Sequence, residues 1–166
     1  MSGRHAKLAR IALFVLPLSL FVAGLSAQGE WPEFRGPGGQ GHAPAGQAPL
    51  EWSETRNIAW KTPIRGRGWS SPVIGGGRVW LTTSVAEAGS ASLRALAFDV
   101  ATGRELLDVE VFRMSNANLK NPKNSHASPT PIVEGDRVYV HFGGEGTAAL
   151  DASSGAIVWA KKFATS

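Results

Sequence analysis

The C-terminal half of the chain alternates short apolar runs with turns that are rich in glycine and serine. Three such runs are Arg137–Phe142, Thr147–Asp151 and Ala156–Lys161. β-Branched and aromatic residues bounded by glycine turns predict short antiparallel strands. Along the first run Val138, Val140 and Phe142 share one face, and Tyr139 lies on the other. Because apolar residues occur on both faces, the sequence predicts a small sheet that is packed on both sides.

The same pattern occurs earlier in the chain. Pro72–Leu81 aligns with Pro131–Val140, 59 residues later, and Ala97–Gly103 aligns with Ala149–Gly155, 52 residues later. We attribute the difference between the two offsets to a longer loop, Ser84–Ala91, in the first copy. Repeats of about 40 to 50 residues with four strands each are typical of propeller blades.

One motif within the repeat identifies a family. Ala-x-Asp-x-x-x-Gly-x-x-x-Trp is present as Ala149, Asp151, Gly155 and Trp159. It resembles the repeat of the PQQ-like β-propellers, which include quinoprotein alcohol dehydrogenases and the periplasmic scaffold of the outer-membrane barrel-assembly machine. The resemblance implies that the Asp and Gly shape the turn between the two outer strands. It also implies that the Trp docks against the neighbouring blade.

The motif is partly repeated elsewhere. The first copy keeps Ala97, Asp99 and Gly103 but has Leu107 at the Trp position, and Asn57–Lys61 echoes the end of the motif with Trp60. The resemblance implies an all-β fold. We expect about two four-stranded blades of a PQQ-like β-propeller that has seven or eight blades when complete.

Three segments are predicted. Residues 1–27 resemble an export signal, because a basic start precedes an apolar run, Ile11–Leu25, that is short for a membrane span. An uncleaved anchor is the alternative. Residues 28–56 form a Gly/Pro-rich leader, and we expect Trp31, Phe34 and Trp52 to hold parts of it against the propeller. Residues 57–166 form the partial propeller, which consists of a closing strand at Asn57–Pro63 and two blades.

Two blades cannot close a propeller, which needs about four to eight. We therefore expect the chain to be the N-terminal fragment of a longer protein. We also expect the apolar faces around Trp80 and Trp159 to lack a neighbour, since the missing blades would cover them.

Charge and composition exclude several classes of function. Residues 1–27 hold three of the 17 basic residues and none of the 13 acidic ones, which leaves 14 basic against 13 acidic residues and a net charge of +1. No basic stripe remains, so nucleic acid is not an expected partner. The chain has no cysteine, which excludes thiol catalysis and Cys-ligated zinc.

Two residues are candidates for binding. In PQQ-like propellers the first strand of each blade lines the central channel, so Trp69 and His126, which precede these strands, are predicted near its mouth. The alternative is that Trp69 is a packing residue and His126 a loop histidine. We find no catalytic residue, no metal set and no residue that matches a PQQ site, so no cofactor is expected.

Two functions are consistent with these features. The first is an exported scaffold, periplasmic or extracellular, that binds a protein partner or a cell-envelope component. After signal cleavage it would have no membrane span. The second is the N-terminal part of a quinone-dependent, dehydrogenase-like propeller enzyme whose catalytic residues lie in the missing blades.

Overall fold

The computed structural model describes residues 29–43, 49–115 and 123–162. They form two four-stranded antiparallel sheets whose strands follow one another in chain order. Blade 1 consists of β1 (Val73–Gly75), β2 (Arg78–Glu87), β3 (Ser90–Asp99) and β4 (Glu105–Ser115). Blade 2 consists of β5 (Ile132–Glu134), β6 (Arg137–His141), β7 (Thr147–Asp151) and β8 (Ile157–Lys161). The prediction of two four-stranded blades in an all-β fold is confirmed.

Neither the predicted signal peptide nor the end of the chain belongs to the described part. Residues 1–27 lie outside the described residues, as do 116–122 and 163–166. In the part that is described, no helix has the length and apolar character needed to cross a membrane.

The two sheets are equivalent in register. Val73 pairs with Trp80 in blade 1, and Ile132 pairs with Tyr139 in blade 2, each 59 residues further along the chain. In blade 1 the first hairpin turns through Gly76 and Gly77, whose φ angles of 58° and 73° suit a two-residue hairpin turn.

The extra residues of the first copy form strand rather than loop. The prediction of a loop at Ser84–Ala91 is wrong, because Ser84 pairs with Leu93 and the strand pairing continues to Glu87 and Ser90. Apolar residues on one side of this extension, including Ala91 and Leu93, are fully buried. Because their burial stabilises the pairing, β2 and β3 each extend to 10 residues.

The core lies between the two blades. Trp80, Leu93 and Ala97 of blade 1 share a buried cluster with Val138 and Leu150 of blade 2. The expectation that the face around Trp80 has no neighbour is therefore wrong: this side chain is fully buried because blade 2 covers it.

At the inner strands the blades are in close contact. A Cβ atom added to Gly75 would lie 2.5 Å from a methyl carbon of Val133, so only glycine allows this approach. Further out, the rings of Phe112 and Phe142 meet edge to face with centroids 6.1 Å apart.

The leader lies partly against the blades. Trp31 exchanges two 2.8 Å backbone hydrogen bonds with Ile74, and the Pro32 carbonyl oxygen accepts a hydrogen bond from the Val133 amide. The leader thus contacts the first strand of both blades. Phe34 and Trp52 are exposed, so the prediction that they help to hold the leader is wrong.

The closing strand predicted at Asn57–Pro63 is not a strand. None of these residues has a strand assignment, and side chains rather than a backbone ladder hold the segment. Thr62 Oγ1 donates a 2.6 Å hydrogen bond to the Gly103 carbonyl oxygen, and Trp60 packs beside it.

Candidate functional site

The turn between β3 and β4 and the turn between β7 and β8 share one hydrogen-bond geometry. We call them the first and the second outer turn. Asp99 Oδ1 accepts hydrogen bonds from the backbone amide of Thr102 at 2.8 Å and from its hydroxyl at 2.7 Å. Asp151 Oδ1 accepts the corresponding amide bond from Ser154 at 2.8 Å, together with hydroxyl bonds from Ser153 and Ser154. In each turn one carboxylate oxygen fixes the residues between the strands, which makes both aspartates structural elements of the repeat.

This geometry also affects proton binding. Hydrogen bonds from Ser153 and Ser154 hold the pKa of Asp151 well below its ordinary value of 3.8, because they favour the charged carboxylate. Hydrogen bonds from Thr102 shift the pKa of Asp99 in the same direction.

Asp151→Asn should therefore cost less stability in acid than at neutral pH. A carboxylate with a depressed folded-state pKa stabilises the fold above its unfolded pKa, and this contribution disappears as the pH falls through the folded value. We expect the difference in the free energy of unfolding between the wild-type chain and the variant to be greatest at pH 6. It should shrink as the pH falls below about 4. Urea midpoints between pH 6 and pH 2 measure it, and a gap that stays constant across this range would contradict the assigned role.

The first outer turn is covered by the segment that precedes blade 1. A Cβ atom at Gly103 would overlap the Trp60 ring, so the indole packs directly on the glycine. The Trp60 Nε1 group donates a 3.0 Å hydrogen bond to the Val100 carbonyl oxygen. Gly103 has a φ of 70°, and this left-handed backbone also favours glycine.

The second outer turn repeats this contact with different residues. A Cβ atom at Gly155 would lie 2.9 Å from Val109 and 3.3 Å from Leu107, both on β4 of blade 1. Leu107 thus occupies the position of the motif tryptophan. In blade 2 the motif tryptophan itself, Trp159, is 45% exposed.

One functional residue was missed by the sequence analysis. Arg78 of blade 1 donates to the carbonyl oxygens of Ala152 and Ser153 in the second outer turn, at 2.6 and 2.9 Å. Ala152 corresponds to Val100, whose carbonyl oxygen accepts the bond from Trp60. The only available signal was that arginine recurs at positions 78 and 137.

The two candidate binding residues lie near each other, and His126 lies beside the β2–β3 hairpin, because Glu87 and Ser90 line a cavity together with it. Trp69 is 65% exposed, although its backbone amide donates a 2.9 Å hydrogen bond to the Ala127 carbonyl oxygen. The Ser70 amide donates to the same oxygen at 3.2 Å. The structure thus brings Trp69 beside the residue that follows His126. We call the region formed by Trp69, Ser70, His126 and Ala127 the rim.

A cavity of about 370 Å³ lies beside the rim. Its lining includes Arg67, Glu87, Ser125 and His126. These side chains supply a cationic donor, an anionic acceptor and neutral hydrogen-bonding groups. Trp69 is not part of the lining. Within the described ranges, no group of three or more His, Cys, Asp or Glu side chains is placed to hold a metal ion.

Comparisons with known proteins agree with the architecture. A family model described as outer membrane protein assembly factor BamB matches residues 49–166. The chain belongs to this family of PQQ-like β-propeller repeats. The match covers both blades and the segment that carries Trp60.

Among solved structures, BamB from Moraxella catarrhalis is similar to this BamB-family chain at 18% sequence identity and a TM-score of 0.34. The match covers 60% of this chain and 37% of that structure, so the chain spans well under half of its length. No curated protein matches the chain.

Proposed function

We propose that the chain is part of an exported propeller scaffold, periplasmic or extracellular, that binds a protein partner or a cell-envelope component at the rim. Membership of the BamB family supports this, since the matching family is described as an outer membrane protein assembly factor. In this proposal further blades of the same protein complete the propeller.

The exposed indole of Trp69 carries the proposal. Because 65% of the Trp69 side chain is exposed, it contributes little to the stability of the fold. Covering it with a partner would remove a large apolar surface from water and so contribute strongly to binding. Two hydrogen bonds from the amides of Trp69 and Ser70 hold the backbone in place, so little backbone entropy is lost when a partner binds. The cavity that Arg67 and His126 line supplies polar groups next to the rim, although Trp69 itself is not in its lining.

Site-specific crosslinking should distinguish the rim from other exposed aromatic residues. We expect a photoreactive phenylalanine analogue at position 69 to crosslink a discrete envelope protein in cells that express the chain. The matched control is position 52 in the leader, because Trp52 is 63% exposed and lies outside the rim. A product at both positions, or at neither, would contradict partner binding at the rim. Trp69→Ala should weaken the captured complex by about 30-fold, corresponding to ~2 kcal/mol.

Thermal denaturation with the quinone and calcium tests whether this chain itself carries a quinone site. A ligand at 100 times its dissociation constant adds about 2.7 kcal/mol to the folded state. Because no residue of this chain matches a PQQ site, we expect the quinone with calcium to leave its melting temperature unchanged. A clear rise in the melting temperature would favour the enzyme.

A further inference from the structure

The β2–β3 hairpin of blade 1 is longer than its counterpart in blade 2. In blade 2 the strand β6 ends at His141, which corresponds to Thr82, whereas β2 continues to Glu87. Both blades nevertheless form complete four-stranded sheets. Residues 83–87 of β2 are therefore not needed to build a blade, and they give blade 1 a length of strand edge that blade 2 lacks.

One edge of β2 is covered by the segment that precedes β1. The Thr82 amide donates a 3.0 Å hydrogen bond to Ser70 Oγ at this edge. Ser84 exchanges two 2.9 Å backbone hydrogen bonds with Arg67. The backbone N–H and C=O groups of successive residues in a strand point to opposite edges, so those of Thr82, Ser84 and Ala86 share one edge. The next residue that needs a partner at this edge is Ala86.

The covering segment leaves the edge before it reaches Ala86. A regular continuation of the antiparallel pairing would place Arg65 opposite Ala86. Instead, Thr83 Oγ1 donates a 2.8 Å hydrogen bond to the Arg65 carbonyl oxygen, and the Arg65 side chain forms an ion pair with Asp108. The chain turns away at Gly66, which has a φ of 86°. Among the described residues, the amide and carbonyl groups of Ala86 therefore have no partner at this edge.

The cavity of about 370 Å³ beside the rim extends along this part of β2. Ser84, Ala86 and Glu87 line it from the strand, and Ala86 is exposed. Residues 84–87 contain neither proline nor lysine, which commonly block pairing at an exposed strand edge. We call the backbone of residues 85–87 the open edge. It has an adjoining space and the unpaired backbone groups that a further strand requires.

The charges that line the cavity favour an anionic side chain. Glu87 forms an ion pair with Arg113, so its carboxylate is already neutralised. Within the described ranges, the Arg67 side chain forms neither an ion pair nor a hydrogen bond. The charge that is left without a partner is therefore positive. A guanidinium group binds a carboxylate through two parallel hydrogen bonds, which makes a carboxylate the matching ligand.

We propose that an extended segment of the partner protein adds to β2 as a further strand at Ala86, with a carboxylate side chain held by Arg67. The segment accepts a hydrogen bond from the Ala86 amide and donates one to the Ala86 carbonyl oxygen. Trp69 lies two residues after Arg67, so one partner covers both. The inference rests on the proposal that the rim binds a protein, and it adds the chemistry by which that protein is recognised.

A second copy of this chain is a poorer occupant of the open edge. Two β2 strands paired antiparallel at Ala86 would place Ala88 of the second copy opposite Ser84. Arg67 already pairs with Ser84, and Ala88 and Gly89 form the hairpin turn of the second copy. The turn and the Arg67 segment would overlap. The open edge therefore fits a free extended segment better than a copy of β2.

Proline substitutions test whether the edge is open. Ala86→Pro removes an amide that points away from β3, and proline is tolerated at such a position of an edge strand. Val85→Pro is the matched control, because Val85 pairs with Ser92 and its amide points towards β3. We expect the urea midpoint of Ala86→Pro to stay close to that of the wild-type chain, and that of Val85→Pro to fall clearly below it. An equal fall for both variants would overturn the proposal.

Blocked heptapeptides test the binding itself. They alternate valine and threonine, and across the set one aspartate is moved through the inner positions. The full chain, labelled with ¹⁵N-alanine, is titrated with each peptide to millimolar concentration. We expect at least one peptide to move the Ala86 amide proton downfield and to slow its exchange with solvent. N-methylation of alternate residues in that peptide should abolish the shift in one of the two possible patterns and preserve it in the other.

The contact with the carboxylate is tested at Arg67. Arg67→Gln should weaken binding of the aspartate peptide about five-fold, and asparagine in place of aspartate should have the same effect on the wild-type chain. Arg104→Gln is the matched control, because Arg104 is also exposed but lies at the first outer turn. It should leave the affinity unchanged.

Two results of the titrations would overturn the proposal. One is an Ala86 amide that no peptide shifts, and the other is equal affinity for the aspartate and asparagine peptides. Crosslinking at position 69 uses neither the peptides nor Ala86. If the peptides fail while position 69 still captures a partner, strand addition is wrong and partner binding at the rim stands.

Discussion

Replacing Trp80 by alanine should lower the free energy of unfolding by about 3–5 kcal/mol. The side chain is fully buried and lies between the blades, where it belongs to the same cluster as Val138 and Leu150. Truncation removes a large apolar contact and leaves a cavity that the two sheets can close only by moving towards each other. Urea denaturation followed by circular dichroism measures the loss.

Trp159→Ala is the matched control for this substitution. Trp159 lies on the face of blade 2 that corresponds by register to the Trp80 face of blade 1. Because Trp159 is 45% exposed, its truncation should cost less than about 1 kcal/mol in this chain. In a longer protein whose next blade covers Trp159, the cost should approach that of Trp80→Ala. Equal costs for Trp80→Ala and Trp159→Ala in this chain would show that blade 2 does not cover blade 1 as described.

Gly103→Ala should be clearly more damaging than Gly135→Ala in the first hairpin turn of blade 2. Gly103 has a φ of 70°, and a left-handed backbone costs an alanine about 1 kcal/mol. Overlap of the new Cβ with the Trp60 ring adds roughly 1–3 kcal/mol. Gly135→Ala carries the same backbone cost but has no neighbouring atom within 4 Å, so it isolates the second effect. Urea midpoints of the two variants measure the difference, and equal midpoints would contradict packing of Trp60 on Gly103.

Most of the fold could be predicted from the sequence, because each blade is encoded by local signals. Glycine turns separate alternating apolar runs, and the bounds of β6, β7 and β8 agree with the predicted runs to within one residue at each end. The repeat identified equivalent residues across the two copies, such as Asp99 and Asp151, since a turn fixed by one carboxylate needs the same residue each time.

Features that depend on contacts between segments were not predictable in the same way. The β2–β3 extension is polar enough to resemble a loop, and only the packing of Ala91 and Leu93 makes it a strand. Asn57–Pro63 has the composition of a strand but is held by side chains. The recurrence of arginine at positions 78 and 137 did not reveal the role of Arg78, because its acceptors belong to a turn 74 and 75 residues away.

Family resemblance singled out Trp69 and His126 as candidates, and the structure adds their local geometry. Nothing in the sequence around Trp69 distinguishes an exposed indole from a buried one. Its exposure follows from the backbone bonds that hold Trp69 and Ser70 to Ala127 and leave the side chain pointing to solvent.

The central claim is that a large side chain of one segment packs on the turn glycine of the next blade. A double-mutant cycle between Trp60→Ala and Gly103→Ala tests it most directly. If the two residues are in contact, Gly103→Ala should cost much less when Trp60 is already alanine, with a coupling energy of about 1–3 kcal/mol. Strictly additive costs, with a coupling below about 0.5 kcal/mol, would contradict the claim.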